Sequence, residues 1–214
     1  MSQRSAAKRL WYWFLRIACR LIGVTVFGIR CYGREHVPSS GGALILSNHQ
    51  SHMDPVLVGL ACDRRLNYLA RSTLYGFRPL AWLIETLDAI PIDREGMGLG
   101  GLKETLRRVK RGEIVLLFPE GTRTRDGEIA SLKPGFCALS RRVDAPLVPV
   151  AIDGAFDCWR RGRPFPKPGQ ITLQFGRPIT PAEIARLDDA QLVSLVEARM
   201  HECLEMSRER RCAH

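Results

Sequence analysis

The sequence predicts an α/β fold: a single domain with a mostly parallel central sheet flanked by helices, preceded by an N-terminal amphipathic membrane-interface helix. Three observations lead there. From residue 25 onward, apolar runs of strand length alternate with stretches of helical periodicity, the order that builds parallel sheets. The chain's 214 residues, 45% of them hydrophobic, suffice for one core with a short terminal appendage. Residues 10–29 are strongly apolar yet carry Arg16 and Arg20.

Residues 1–24 are read as the membrane-associating segment and 25–214 as the domain. Arg16 and Arg20 interrupt the apolar run well short of the ~20 residues a simple spanning helix needs. On a helix advancing about 100° per residue, Arg9, Arg16 and Arg20 fall within about 40° of one another. Leu10, Phe14, Leu15, Ile17, Ala18, Leu21 and Ile22 cover the remaining arc. Such a helix can lie flat in a bilayer interface, with Trp11, Tyr12 and Trp13 at headgroup depth and Phe14 on the apolar arc. Lys8, Arg9, Arg16 and Arg20 are then expected to face anionic lipid phosphates. A cleaved secretory signal fits poorly, because two arginines interrupt the apolar stretch and no small-residue cleavage site follows. A core helix with a basic solvated face is the competing reading; paired tryptophans beside basic residues favour the interface.

Along the domain, strands are expected at 24–32, 43–47, 66–70, 89–93, 114–118, 147–152 and 170–176. Between them, 55–62, 73–87, 99–111 and 134–143 read as helices, and 181–208 closes the chain as one or two more. Pro38-Ser-Ser-Gly-Gly42 and Gly162-Arg-Pro-Phe-Pro-Lys-Pro-Gly169 are turn or loop signals too short for domain linkers. No internal repeat is present.

Thirty-two Lys and Arg against twenty-two Asp and Glu give a net charge of +10, which favours phosphate-bearing partners. The seven cysteines show no Cys-x-x-Cys pair and no regular spacing, as expected of reduced thiols in a cytosolic setting.

Chemistry concentrates just past two apolar strands, where α/β folds carry their sites. The first concentration is Asn48-His49-Gln50-Ser51-His52-Met53-Asp54-Pro55. Asp54 before Pro55 also reads as a helix N-cap with proline at the first helical position. The two roles are compatible: one carboxylate oxygen can cap the helix while the other accepts an N–H from a histidine in the preceding turn, fixing its tautomer. On a regular helix two side chains five residues apart diverge by about 140°, so His49 meets Asp54 only if residues 48–53 form a loop. Composition alone leaves a catalytic pair and a satisfied structural histidine both open, since no nucleophile completes a triad and no Gly-x-Ser-x-Gly elbow occurs.

The second concentration is Ile114-Val-Leu-Leu-Phe-Pro-Glu-Gly-Thr-Arg-Thr-Arg125. Here Gly121 frees backbone amides while Thr122, Arg123, Thr124 and Arg125 supply hydroxyls and guanidinium groups, a composition suited to phosphate; the bland alternative is an exposed basic turn. A third piece, Ile90-Pro-Ile-Asp-Arg94, ends a strand with another arginine, which in isolation reads as a surface salt bridge.

Taken together, these pieces resemble the phospholipid-synthesis acyltransferase family typified by 1-acylglycerol-3-phosphate acyltransferases. Asn48-His49-Gln-Ser-His-Met-Asp54 matches its first motif, and Phe118-Pro-Glu-Gly-Thr-Arg123 its third almost letter for letter. Ile90-Pro-Ile-Asp-Arg94 looks like the second and Val148-Pro-Val-Ala-Ile152 the fourth, all in family order over roughly residues 25–155. The resemblance implies acyl transfer without an acyl-enzyme, with His49 as general base on the acceptor hydroxyl and Asp54 orienting it. It also implies acceptor-binding roles for Arg94, Glu120, Gly121, Thr122 and Arg123, and meeting of the lipid substrate at the bilayer surface. Arg71 stands where many relatives carry a lysine, and Asp88 replaces a common glycine; both bear on acceptor or chain-length preference.

The expected reaction moves an acyl chain from acyl-CoA or acyl-carrier protein, as co-substrate, to the sn-2 hydroxyl of lysophosphatidate. Other lysolipids, including lyso-amino-acid lipids, are the alternative acceptors. No cofactor and no metal is expected. A nucleic-acid-binding protein, suggested by charge alone, is disfavoured because basic residues spread along the chain and aromatics cluster near its start. A zinc hydrolase using His49, His52 and Asp54 lacks a clear further ligand. The expected location is the cytoplasmic face of a bacterial inner membrane, peripheral or monotopic, on anionic lipid.

Overall fold

A computed structural model describes residues 6–71, 90–92 and 98–213. Along the chain run helix α1 (Ala6–Phe27), strand β1 (Arg30–Tyr32), β2 (Ala43–Ser47), α2 (Asp54–Ala61), β3 (Leu66–Arg71) and β4 (Ile90–Ile92). There follow α3 (Gly98–Lys110), β5 (Ile114–Leu117), α4 (Gly135–Ser140), β6 (Leu147–Asp153) and α5 (Ala155–Trp159). Strand β7 (Thr172–Phe175) and helices α6 (Pro181–Ile184) and α7 (Asp189–Cys212) close the described chain. The helix expected at 73–87 and Arg94 lie outside the described residues.

The strands form one sheet in the order β1-β7-β6-β2-β5-β3-β4. Pairing is parallel except between β6 and β7, so β1 and β7 run against the other strands. This is the mostly parallel sheet expected, with a reversed edge. Strand β2 sits at its centre with all five residues buried, which is why it reads as an unbroken apolar run rather than an alternating one. Its residues serve two cores. Ala43 and Ile45 pack with Leu57, Val58 and Phe175 on one face, and Leu44 and Leu46 with Phe136, Leu192 and Met200 on the other.

The end of the chain is two helices because residues 180 and 188 each start one. Thr180 with Glu183, and Asp188 with Gln191, form reciprocal capping boxes that satisfy the first N–H groups of α6 and α7. At the other end, the strand expected at 24–32 is replaced by helix as far as Phe27. The β-branched run Val24-Thr25-Val26 favours a strand by propensity, but Thr25 Oγ1 donates to Leu21 O at 2.8 Å, bonding back as in a helix. Gly28, at φ 46°, ends the helix, and the Ile29 N–H turns back to Gly23 O at 3.1 Å.

Helix α1 docks differently from the expectation. Arg16, only 8% exposed, donates to Cys62 O, and Arg20 donates to Leu60 O at 3.0 Å while lying 3.6 Å from Asp63. Both guanidinium groups therefore satisfy carbonyls at the end of α2, where cations are favoured; Arg16 is buried there instead of facing outward, while Arg20 stays exposed. The outward side carries Phe14, Ile17, Leu21, Ile22, Val24 and Val26, all exposed. Trp11 and Trp13 lie in the same helix. No helix among the described residues is long and apolar enough to cross a membrane.

Candidate active site

The parallel register sets the site. Leu46 of β2 pairs with Leu117 of β5, so the loops following the two strands leave the sheet side by side. The first carries His49 and the second Glu120 to Arg125. Asn48 anchors the first loop to the opposite neighbour: its Nδ2 donates to Ile152 O at 2.9 Å and its Oδ1 accepts the Ile152 N–H at 2.8 Å. The second loop then grips His49 by its backbone. The His49 N–H donates to Glu120 Oε1 at 2.8 Å, and the Thr124 N–H donates to His49 O, also at 2.8 Å.

With its backbone fixed, the His49 ring stacks on Phe118, the centroids 4.0 Å apart and the planes 20° from parallel. Its Nδ1 lies 2.7 Å from Asp54 Oδ2. The same oxygen accepts the Gln50 N–H at 2.6 Å and the Ser51 N–H at 2.7 Å. An oxygen already accepting two backbone donors is an acceptor for the third, so Nδ1 carries the proton and Nε2 presents a lone pair. Asp54, fully buried, is the first residue of α2, not its cap; its carboxylate reaches back to the loop rather than forward into the helix. The helix N-terminus still favours its negative charge. Among the described residues, no serine hydroxyl or cysteine thiol hydrogen-bonds the imidazole.

Glu120, expected among the acceptor-binding residues, holds backbone in this structure. It is 3% exposed, and its second oxygen accepts the Ala130 N–H at 3.1 Å, so both oxygens hold backbone. Burial pushes its carboxyl up to about 7, against the pull of the two N–H bonds. Gly121 and Thr122 are exposed just beyond it and Arg123 is half-buried. Gly121 adopts φ 72°, a left-handed backbone that side chains rarely adopt, so the turn calls for glycine. His52 is largely exposed and tilts against Trp159 at 5.3 Å; partial desolvation of the ring, then Arg123, lower its pKa and favour the neutral form.

Sequence reasoning assigned no task to Asn48, Phe118, Gln50 or Ser51. Gln50 Nε2 donates to Gly127 O at 2.8 Å, and Ser51 Oγ to Trp159 O at 2.8 Å, tying the loop to two neighbours. The available signal for Asn48, Gln50 and Ser51 was their position: polar residues directly beyond the apolar run Ala43–Leu46, too many for a simple surface turn. Thr124 and Arg125, with Phe156, Arg160 and Arg161, line an adjacent cleft of about 400 Å³.

A His–Asp pair thus stands at the carboxyl ends of a parallel sheet, held by a Phe-Pro-Glu-Gly-Thr-Arg loop. Residues 28–153 match the Acyltransferase family model, and the chain belongs to this family of acyl-transferring enzymes in phospholipid biosynthesis. It is 30% identical over 189 residues to the 1-acyl-sn-glycerol-3-phosphate acyltransferase of Bacillus subtilis, covering 87% of this chain and 92% of that one. Identity to the enzyme of that name from Limnanthes douglasii is 28%, covering 78% of this chain and 61% of the plant protein. The fold is shared with the crystal structure of the 1-acyl-sn-glycerophosphate (LPA) acyltransferase PlsC from Thermotoga maritima. The TM-score is 0.80 at 23% identity, over 96% of this chain and 83% of that one.

Proposed function

We propose that this acyltransferase moves a fatty acyl group from acyl-CoA or acyl-carrier protein to the sn-2 hydroxyl of lysophosphatidate, with His49 as general base. The observation that carries the proposal is the Nδ1 to Oδ2 bond of 2.7 Å, which fixes the tautomer in which Nε2 is the basic nitrogen for a reacting hydroxyl. Nε2 takes the hydroxyl proton as the oxygen attacks the thioester carbonyl. The tetrahedral intermediate collapses by breaking the C–S bond, and the imidazolium returns the proton to the departing thiolate. Asp54 holds the ring and offsets its transient charge, as the aspartate of a catalytic triad does. Among the described residues no serine hydroxyl or cysteine thiol bonds His49, which supports direct transfer without an acyl-enzyme. Gly121, Thr122 and Arg123, with Arg94, are the proposed acceptor-binding residues; Glu120 serves as a positioning residue for His49.

The outward apolar side of α1 supports binding at a membrane interface, and the proposed location is the cytoplasmic face of a bacterial inner membrane. The names of the relatives support lysophosphatidate as acceptor. A panel of lysophosphatidate, glycerol 3-phosphate and lysophospholipids with other headgroups, each offered with acyl-CoA and with acyl-carrier protein, tests the assignment. Phosphatidate acylated at sn-2 is the expected main product. Faster turnover of another acceptor would replace lysophosphatidate in the proposal.

A further inference from the structure

The segment between α5 and β7 is not used by the mechanism. Residues 160–169 read Arg-Arg-Gly-Arg-Pro-Phe-Pro-Lys-Pro-Gly, with four cations and no carboxylate. The loop is closed at its neck. The Lys167 N–H donates to Cys158 O at 2.9 Å, and Trp159 Nε1 donates to Arg163 O at 3.0 Å. Gly169 packs so tightly that a β-carbon there would lie 2.6 Å from Cys158 Sγ. Beyond this neck stands Phe165, 80% exposed, the most exposed large hydrophobic side chain among the described residues.

A single exposed phenylalanine is ordinary on a protein surface. Three features set this one apart. Pro164, Pro166 and Pro168 have no backbone N–H and that of Lys167 is already bonded, so the Phe165 N–H is the one backbone donor of residues 164–168 left to be desolvated on approaching an apolar phase. The cations beside it are those of an anionic-surface ligand. And the loop's far end adjoins α1: the Gly169 N–H donates to Val26 O at 3.3 Å, and the Ile171 N–H to Phe27 O at 3.0 Å. The outward apolar row of α1 ends at Val24 and Val26, next to that junction. The near end adjoins the site, since Trp159 O accepts the Ser51 hydroxyl and Arg160 and Arg161 line the cleft beside it.

We infer that residues 160–169 form a second membrane-binding element, in which Phe165 enters the headgroup and acyl boundary of an anionic bilayer. Arg160, Arg161, Arg163 and Lys167 meet lipid phosphates around it. With α1 on one side and this loop on the other, the opening beside His49 is held against the surface that supplies the lipid acceptor. The inference rests on the reading of α1 as an interface helix, and its test separates the two.

Cosedimentation with vesicles of phosphatidylcholine, alone or mixed with phosphatidylglycerol, is measured for the wild type and four variants. Phe165→Ser weakens partitioning about tenfold, the loss expected for one large apolar side chain, and Phe165→Trp retains binding. The triple variant R160Q/R161Q/R163Q loses about fivefold per charge on the anionic vesicles at low salt and little on the neutral ones. Ile17→Ser combined with Leu21→Ser weakens binding to both. Wild-type binding by Phe165→Ser, alongside loss in the α1 variant, overturns the loop inference and leaves the helix standing. Loss confined to the arginine variant marks a purely electrostatic face suited to an acidic protein, and also overturns it. Wild-type protein that sediments with neither vesicle overturns helix and loop together.

Discussion

Asp54 Oδ2 accepts three N–H groups, and that crowding explains more of the site than the histidine does. It bends the chain between His49 and Asp54 into the loop that lets residues five apart in sequence meet. Asp54→Asn can keep an oxygen where the three donors converge, but it removes the negative charge beside His49 and places an NH₂ donor at the buried position of Oδ1, which has no acceptor, at a cost of about 1–3 kcal/mol. Denaturant unfolding is expected to show that loss and acyl transfer to fall by at least about 10²-fold; an active, equally stable variant would contradict the arrangement. Glu120 gives a separate, pH-dependent expectation. Its folded pKa of about 7 lies above the ordinary value of 4.5, so the folded chain keeps a proton there that the unfolded chain has released. The stability this contributes is complete below about pH 4.5 and is lost as pH rises through about 7. Wild type should therefore lose stability relative to Glu120→Gln between about pH 5 and 8, as followed by urea midpoints; parallel curves would refute it. The His–Asp pair was legible in the sequence because spacing and strand position pointed to it. Glu120's task was not, since only the folded register shows both its oxygens turned onto backbone.

Among the elements, α1 carries the clearest lesson. Its apolar and basic sides were readable from helical periodicity, but which side would face the protein was not. A solvated basic face is the usual solution, yet carbonyls left open at the end of α2 attract Arg16 and Arg20 inward and leave the apolar side outside. Replacing both arginines with glutamine removes charge-assisted bonds worth about 1.5–3 kcal/mol apiece before compensation. Amide exchange across residues 14–27 should then accelerate while β2 and β6 stay protected. Unchanged exchange in α1 would mean that other contacts hold it. The misplaced strand at 24–27 has a related cause: β-branched residues report a local preference, and here the helix is continued by the docking of its neighbouring turns.

For the whole molecule, the mostly parallel sheet was legible because doubly covered strands such as β2 and β6 are continuous apolar runs bounded by turn residues. The order of those strands was not legible, nor was the reversal of β7 against β6. Pairing depends on which edges meet after the helices have packed, and no local pattern in residues 172–175 records it. What the parallel register does is bring the ends of β2 and β5 together, and the site follows from that single juxtaposition. The central claim is that this site makes His49 a base for acyl transfer. The most direct test follows release of CoA thiol from acyl-CoA by wild-type and His49→Ala protein on vesicles, with and without lysophosphatidate. Release is expected only with wild type and acceptor together, falling on the order of 10²–10⁴-fold in the folded variant. Release at the wild-type rate by His49→Ala would contradict the account.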